Sequence, residues 1–581
     1  MSSTGNGQAA REVYRIGISM SGAISAGAYT AGVFDFLMQA LAELDAARAN
    51  PAHRDHAKVP QTYEPRVVVM TGASAGGITA ALGAVSLGYG LHFQPDPTIS
   101  TGRRPVEMAP RLGPDPIEGV MPSLYNAWVI KPRMVDETGG AALLSNSDVV
   151  GDKASALKSL LNTEVLDQIR DESMRRPPES PLMQSAPYPF LFETLHVYLT
   201  ITNIGGVQYD IKGDNDSALY HMVNHADRVH FKIAGLSERA VDVQGWADMD
   251  NGDKLTVEEL RQSNGQTDGW KKVGQSALAT AAFPAGLSAR ELSDTPDGFK
   301  DRWFPAPAFA GATINPVFPA SYHALQPAFF SWGNMYGGVI NNDPFDYARY
   351  ALINDWRTHA SNPRAPADAD RAVIMISPFP EGKTVGEYEP PNLALTKVLS
   401  KLLPALLSQV RFKVDELAAA ADPTIASRWL IAPRRSNDPA ENPSSVNIAC
   451  GALGGFGGFL DQKFREHDYI LGRRNCQRFL QTWTASKFTV ATGTPVIPLV
   501  GSAAIEVPQP QWPKMSGYDF ERLMVHIRAR GQAVIPAMLR QLLPGWVAML
   551  ATPFVRLWWR LTGVPAVRAT MEGALEARGQ L

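Results

Sequence analysis

Gly72-Ala73-Ser74-Ala75-Gly76 places a serine hydroxyl between two glycines, each two residues away. A serine attacks an ester carbonyl only when it is held at a fixed, reachable point and donors await the oxyanion that develops. The G-x-S-x-G spacing meets the first condition where a strand turns sharply into a helix, because glycines remove side chains that would collide across the turn. The flanks have that form. Arg66-Val-Val-Val-Met-Thr71 reads as a buried strand, and Ile78 to Leu87 reads as a helix. The same residues would also serve as a plain tight turn, so the chemistry depends on what surrounds Ser74.

The oxyanion donors should come from a second loop at the same sheet edge. Met20-Ser-Gly22-Ala23-Ile24-Ser25 follows the apolar run Arg15 to Ser21 and opens a helix, which makes the amides of Gly22, Ala23 and Ile24 the candidates. A dinucleotide-binding turn competes for this position. Against it, G-x-G-x-x-G is absent and no acidic residue closes a second strand where a ribose would be held.

With these two loops the chain resembles the patatin-like phospholipases, bacterial members with a C-terminal extension among them, over most of residues 15–380. Ser21 to Tyr29 aligns without gaps with their glycine-rich oxyanion loop, keeping its first glycine and carrying Ala26 where Arg or Lys is common. Ala277-Leu-Ala-Thr-Ala-Ala-Phe283-Pro284 is similar to their alanine-rich helix that ends in Pro. Gly337-Gly338-Val-Ile-Asn341-Asn342-Asp343-Pro344 resembles their D-G-G motif with its downstream Asn and Pro. Gly454 to Phe459 and Arg465 to Arg474 look like the extension, with no role derivable from the residues. The resemblance implies an α/β, three-layer fold with a mostly parallel central sheet and a helical C-terminal region. It also implies cleavage of lipid carboxylic esters through a Ser74 acyl-enzyme, with Gly72, Gly76, Gly337 and Gly338 as motif glycines, and with neither cofactor nor metal.

One position departs from that pattern. Tyr336 precedes Gly337-Gly338 where the family carries the Asp that activates the serine. A phenol with an ordinary pKa near 10 is a poor base at neutral pH. Asp343 is the nearest carboxylate and the alternative base, although Pro344 and the helical pattern behind it fit an N-cap better. Three readings stay open: Tyr336 holds or weakly activates Ser74, a carboxylate from elsewhere reaches it, or the chain binds lipid with little or no catalysis. An ordinary α/β-hydrolase fits less well, since Ser74 follows only two strands and no late Gly/Asp/His loop stands out.

The elements that must position these residues alternate as strand, helix, strand, helix from residue 15 to 87, which argues for a parallel sheet covered on both faces. Leu191 to Ile204 alternates in the manner of a strand, and Gly205-Gly206 predicts a hairpin turn into Val207 to Ile211. A helix through Ser276 to Ala282 stops before Pro284, and Ala372 to Ser377 reads as another buried strand. Asp248 to Leu260 imitates a calcium loop, but its register puts Ala247 and Met249 at ligand positions, so an acidic turn capped by Thr256 is the better reading. Leu395 to Val410 is amphipathic. The expected division is a disordered stretch over 1–11, an acyl hydrolase domain over 12–385 with an insertion near 93–185, and a mainly helical extension over 386–581.

Composition bounds the function. At 581 residues the chain exceeds one ordinary core, and 45% hydrophobic with 19% charged residues is ordinary for a globular protein. A net charge of -3 offers nothing to nucleic acid. Cys450 and Cys476 are too few to staple such a chain and lack metal-site spacing, and the polar N-terminus has no secretory core, so a cytoplasmic location is expected, peripheral at the inner membrane face at most. The richest apolar run, Leu542 to Leu561, contains two prolines and two arginines and does not read as a membrane span. It fits a membrane surface or a buried core helix equally. A lipid is the expected partner, and oligomeric state is not legible.

Overall fold

The computed structural model describes residues 11–93, 119–136, 142–149, 157–178, 183–212, 219–238, 252–295, 298–299, 302, 304–305, 313–318, 330–353, 362–380, 394, 422, 424–436 and 444–581. Strand β1 (Glu12–Met20) leads through a short turn into α1 (Gly27–Ala49), and β2 (Tyr63–Ala73) turns at Ser74 into α2 (Ala75–Tyr89). β3 (Leu91–His92) and β4 (Met183–Gln184) form a small separate ladder, with α3 (Pro122–Tyr125) and α4 (Glu164–Ser173) between them in sequence. Then come β5 (Leu191–Lys212), β6 (Leu219–Ala234), β7 (Asp253–Thr256), α5 (Val257–Ser263), α6 (Asp268–Thr280) and β8 (Arg290–Asp294). A second small ladder, β9 (Phe304–Pro305) with β10 (Thr313–Ile314), precedes β11 (Phe330–Tyr336), α7 (Phe345–Leu352), β12 (Arg371–Ile376) and β13 (Arg428–Ile431). Four helices end the chain: α8 (Gln462–Thr482), α9 (Gly517–Leu542), α10 (Gly545–Trp558) and α11 (Val564–Glu576).

The central sheet runs β13-β12-β1-β2-β5 in parallel, and β6, β11 and β8 join antiparallel beyond it. β2 is buried over its whole length; its apolar run over residues 67–70 suits a strand covered on both faces, and its buried charges, Glu64 and Arg66, pair with each other at 2.7 Å. α7 covers one face through Phe345, Ala348 and Leu352 against Val69 and Val373. The other face belongs to a large core in which α1, α2 and α6 meet α8 and α9. The architecture is therefore the α/β arrangement with a mostly parallel central sheet and a helical C-terminal region. One strand, β13, comes from the stretch that reads as helical in sequence. It pairs in parallel with β12 and extends the sheet.

α8 crosses α1 closely because glycine faces backbone on both sides of the crossing. A Cβ on Gly32 would lie 2.0 Å from the Tyr469 carbonyl oxygen, and one on Gly472 would lie 2.2 Å from that of Tyr29. α1 also carries a polar stripe, Asp35, Gln39 and Glu43, all buried. Arg473 of α8 pairs with Asp35 and donates to Gln39 (2.7 Å), while Ser502 donates to Glu43 (2.6 Å). Burying such groups unpaired would cost several kcal/mol, so the first helix and the C-terminal region satisfy each other.

The hairpin predicted at Gly205-Gly206 is not there. β5 runs straight through this dipeptide as a bulge, with its register against β6 shifting between Thr202 and Val207. The Asn203 side chain accepts from the amides of both glycines at 3.0 Å, and Gly206 takes a left-handed φ of 76°, so the extra residues are absorbed without reversing the chain. Thr256 does cap α5, in a reciprocal box with Glu259. The N-terminal ten residues and Leu395 to Val410 lie outside the described residues, as does most of 93–145.

Candidate active site

Ser74 occupies the turn between β2 and α2 with φ 50° and ψ -118°, a conformation L side chains rarely adopt. The neighbouring glycines explain how it is held. A Cβ on Gly72 would lie 2.4 Å from the Gly76 carbonyl, and one on Gly76 would lie 2.0 Å from the Met20 carbonyl oxygen. The Ser74 amide donates to Thr280 Oγ1 (2.7 Å) and its carbonyl accepts from Ile78 (2.8 Å), so α6 and α2 fix the backbone and leave the hydroxyl to the site.

Sheet register brings the second element to this point. β6 occupies one edge of β5, so β2 and β11 share the other. β2 runs parallel to β5 and ends with Ala73 opposite Thr200, whereas β11 runs antiparallel and ends with Tyr336 opposite Ile201. The two strands thus meet head to head, with Ser74 and the Gly337 turn on adjoining ends. Gly337 is required here because a Cβ would lie 2.0 Å from the Thr200 carbonyl oxygen.

Gly22 marks where the groups converge. A Cβ built there would sit 2.4 Å from Asn342 Oδ1, 2.8 Å from the Tyr336 hydroxyl and 3.2 Å from Ser74 Cβ. The Tyr336 hydroxyl donates to Asn342 Oδ1 (3.0 Å), and one on Gly338 would crowd both, its Cβ falling 2.5 Å from that hydroxyl. Among the described residues, no hydrogen bond joins the Ser74 hydroxyl to a carboxylate.

Asp343 does something other than the capping its sequence suggests. Pro344 is the N-cap of α7 and no side chain caps that helix. The Asp343 carboxylate accepts from the Ser21 hydroxyl and, at 3.5 Å, from the Asn342 amide, which ties the Gly22 loop to the segment after β11. The Pro that follows fixes the chain's direction, and the carboxylate is drawn to the loop beside it. Of the three candidate oxyanion donors, Gly22 gives its amide to the Asn342 carbonyl (3.2 Å). The amides of Ala23 and Ile24 have no acceptor among the described residues, and Ile24 is held at a positive φ of 50°. Gly22 therefore serves the site by having no side chain, while Ala23, Ile24 and the first amide of α2 remain to meet negative charge.

Ser74 lies at the wall of an apolar cleft of about 770 Å³, counted to its open mouth. Ile24 lines it from the Gly22 loop and Ile78 and Leu82 from α2, with Trp128, Leu287 and Phe459 from other parts of the chain, and Arg170 is the charged residue among them. The sequence reading left Trp128 and Phe459 without a role. The glycine-rich stretch before α8 folds over the Gly22 loop: Ser25 Oγ accepts from the Gly458 amide (2.9 Å) and donates to the Gly455 carbonyl. Phe456 in the same stretch stands edge-on to Phe283 at 5.5 Å, and Phe283 packs at 5.6 Å from Tyr336. Arg465 braces this roof through the carbonyls of Gly458 and Val129, and its complete burial pushes its pKa down to about 10. Thr280 and Asn342 were visible only as members of their motifs. The abundance of glycine before α8 was the available signal for a close approach, without saying to what.

Among the described residues, no cluster of His, Cys, Asp and Glu could hold a metal ion, and no helix is long and apolar enough to cross a membrane. No family model matches the chain. It is 35% identical over 615 residues to the uncharacterized protein y4iI of Sinorhizobium fredii (strain NBRC 101917 / NGR234), an alignment that covers 98% of this chain and 82% of that protein. Identity of that extent, over nearly the whole chain, makes it a member of the y4iI family.

Proposed function

We propose that this chain is a serine acyl hydrolase of the patatin-like type, cleaving carboxylic esters of phospholipid or related lipids through a Ser74 acyl-enzyme. The observation that carries the reading is the strained serine at the wall of an apolar cleft, with the neighbouring Gly22 loop offering two amides, those of Ala23 and Ile24, that have no acceptor among the described residues. An acyl chain fits such a wall, with the ester carbonyl at Ser74. The hydroxyl attacks and the amides of Ala23, Ile24 and Ala75 hold the oxyanion; the seryl proton passes, directly or through water, to the alcohol oxygen as its bond to the acyl carbon breaks, and water then adds to the acyl-enzyme, releases the acid and returns a proton to Ser74. The Tyr336 hydroxyl donates a hydrogen bond to Asn342 Oδ1, which leaves its oxygen to accept from the Ser74 hydroxyl and orient it. With its own proton engaged, the phenol orients the serine without serving as a general base, and slow turnover is expected.

A second reading has its own support. With no carboxylate hydrogen-bonded to the Ser74 hydroxyl among the described residues, the same cleft can retain lipid without cleaving it. A fluorophosphonate probe separates the two: labelling of the wild type and none of Ser74→Ala is expected, together with ester turnover that the substitution abolishes. An unlabelled wild type with a filled, lipid-bearing cleft by mass spectrometry would replace hydrolysis with binding.

A further inference from the structure

The last helices present an apolar face that the core does not use. α10 turns one side inward, where the Trp559 indole just beyond its end donates to the Arg528 carbonyl (3.1 Å) over Gly531 and Arg556 donates to that of Gln532 (3.3 Å). On the other side, Trp546, Met549, Leu550, Phe554, Leu557 and Leu561 repeat at three- and four-residue steps, and all are exposed, Phe554 by 75% and Trp546 by 68%. Isolated surface hydrophobes are ordinary, but six large ones on one stripe are not.

Charge identifies what covers this stripe. From Gly531 to Met571 the chain has four arginines and no Asp, Glu or Lys. Arg568 is paired with Glu521 and Glu572, whereas Arg540, Arg556 and Arg560 have no acidic partner among the described residues. An exposed apolar stripe with tryptophan and arginine beside it suits the headgroup layer of an anionic bilayer, where apolar burial and attraction to phosphate act together.

Position links the stripe to the cleft. Arg530 of α9 clamps Asp148 (2.8 Å) and the Leu160 carbonyl (2.9 Å), and Gln541 holds the Leu157 carbonyl (2.9 Å). Leu160 and Leu161 in turn donate to Ala285 (2.8 Å) and Gly286 (3.1 Å), beside the cleft residues Phe283 and Leu287. We infer that the α9–α10 hairpin is a docking element for an anionic phospholipid surface, and that through residues 157–161 it holds the lip of the Ser74 cleft against that surface. Delivery of an acyl chain rests on the hydrolase reading, whereas docking does not.

The test is co-sedimentation of the full chain with phosphatidylcholine vesicles, with and without phosphatidylglycerol. Binding is expected to favour the anionic vesicles and weaken as salt is raised. The double variant Leu550→Glu with Phe554→Glu, both exposed, should lose about tenfold or more in vesicle affinity. Its thermal unfolding, its fluorophosphonate labelling of Ser74 and its turnover of a soluble short-chain ester should stay unchanged. Vesicle binding without any labelling would sink the hydrolase and keep the docking element. Three results would overturn docking: no binding to either vesicle, a wild-type dimer that the double variant dissolves, or a cross-link from residues 395–410 to a cysteine placed at 550.

Discussion

The functional proposal turns on residue 336. Tyr336 ends β11 directly beside the serine elbow, so a carboxylate there would come within reach of the Ser74 hydroxyl. Tyr336→Asp is expected to raise ester turnover by about 10²- to 10⁴-fold, the usual worth of general-base assistance. Tyr336→Asn, nearly equal in size, should not, which separates charge from space. Both remove a buried ring that packs on Phe283, so unfolding temperatures must accompany the rates. A high wild-type rate that falls in Tyr336→Asp would instead assign the base to tyrosine itself or to an acid outside the described residues. Asp343 is not equivalent to the missing carboxylate, because it is engaged with Ser21 and so shapes the loop of Gly22.

At the scale of elements, α1 decides how the two halves of the sequence meet. Its crossing with α8 has no room for a methyl group at residue 32, where the nearest atom is a carbonyl oxygen 2.0 Å from the added carbon. Gly32→Ala should therefore cost about 1–3 kcal/mol despite the better helix propensity of alanine. Gly573→Ala in α11, where an added carbon meets nothing within 4 Å, should gain roughly 0.5–1 kcal/mol. Urea unfolding of the pair measures both signs in one experiment. α1 also carries a pH dependence: Asp45, bonded to Arg48 at 2.6 Å, has its pKa pushed up to about 7, burial outweighing the guanidinium. The unfolded chain releases that proton near about pH 3.9, so between these values the native state holds more protons and stability falls as pH rises. Asp45→Asn should flatten the difference in urea midpoint between about pH 5 and about pH 8.

Across the molecule, the C-terminal helices share the core that covers the sheet. Both cysteines show it. Cys450 lies beneath the glycine-rich roof and Cys476 in α8, each with no exposed surface, and burial pushes both thiols well above their ordinary pKa. Neither should react with iodoacetamide in the native protein, and both should react once it is unfolded, at the denaturant concentration where the sheet is lost. Alkylation of Cys450 or Cys476 at lower denaturant, read by mass spectrometry, would show that the C-terminal helices detach on their own.

What the sequence determined by itself is local. The serine elbow, the buried strands around it and the cap at Thr256 follow from side-chain period and from glycine and threonine at positions where backbone geometry demands them. The conflict at Tyr336 is equally a matter of one residue type at one place. Only the tertiary structure decided the rest, because it depends on pairs far apart in the chain. Gly205-Gly206 carries the local signature of a hairpin turn, and the long pairing of β5 with β6 overrode it. Asp343 carries the signature of a cap, and Ser21, 322 residues away, drew its carboxylate elsewhere. The roof of Phe456 and Phe459 over the Gly22 loop has no local signal at all, since glycine declares that something approaches closely and only the fold says what.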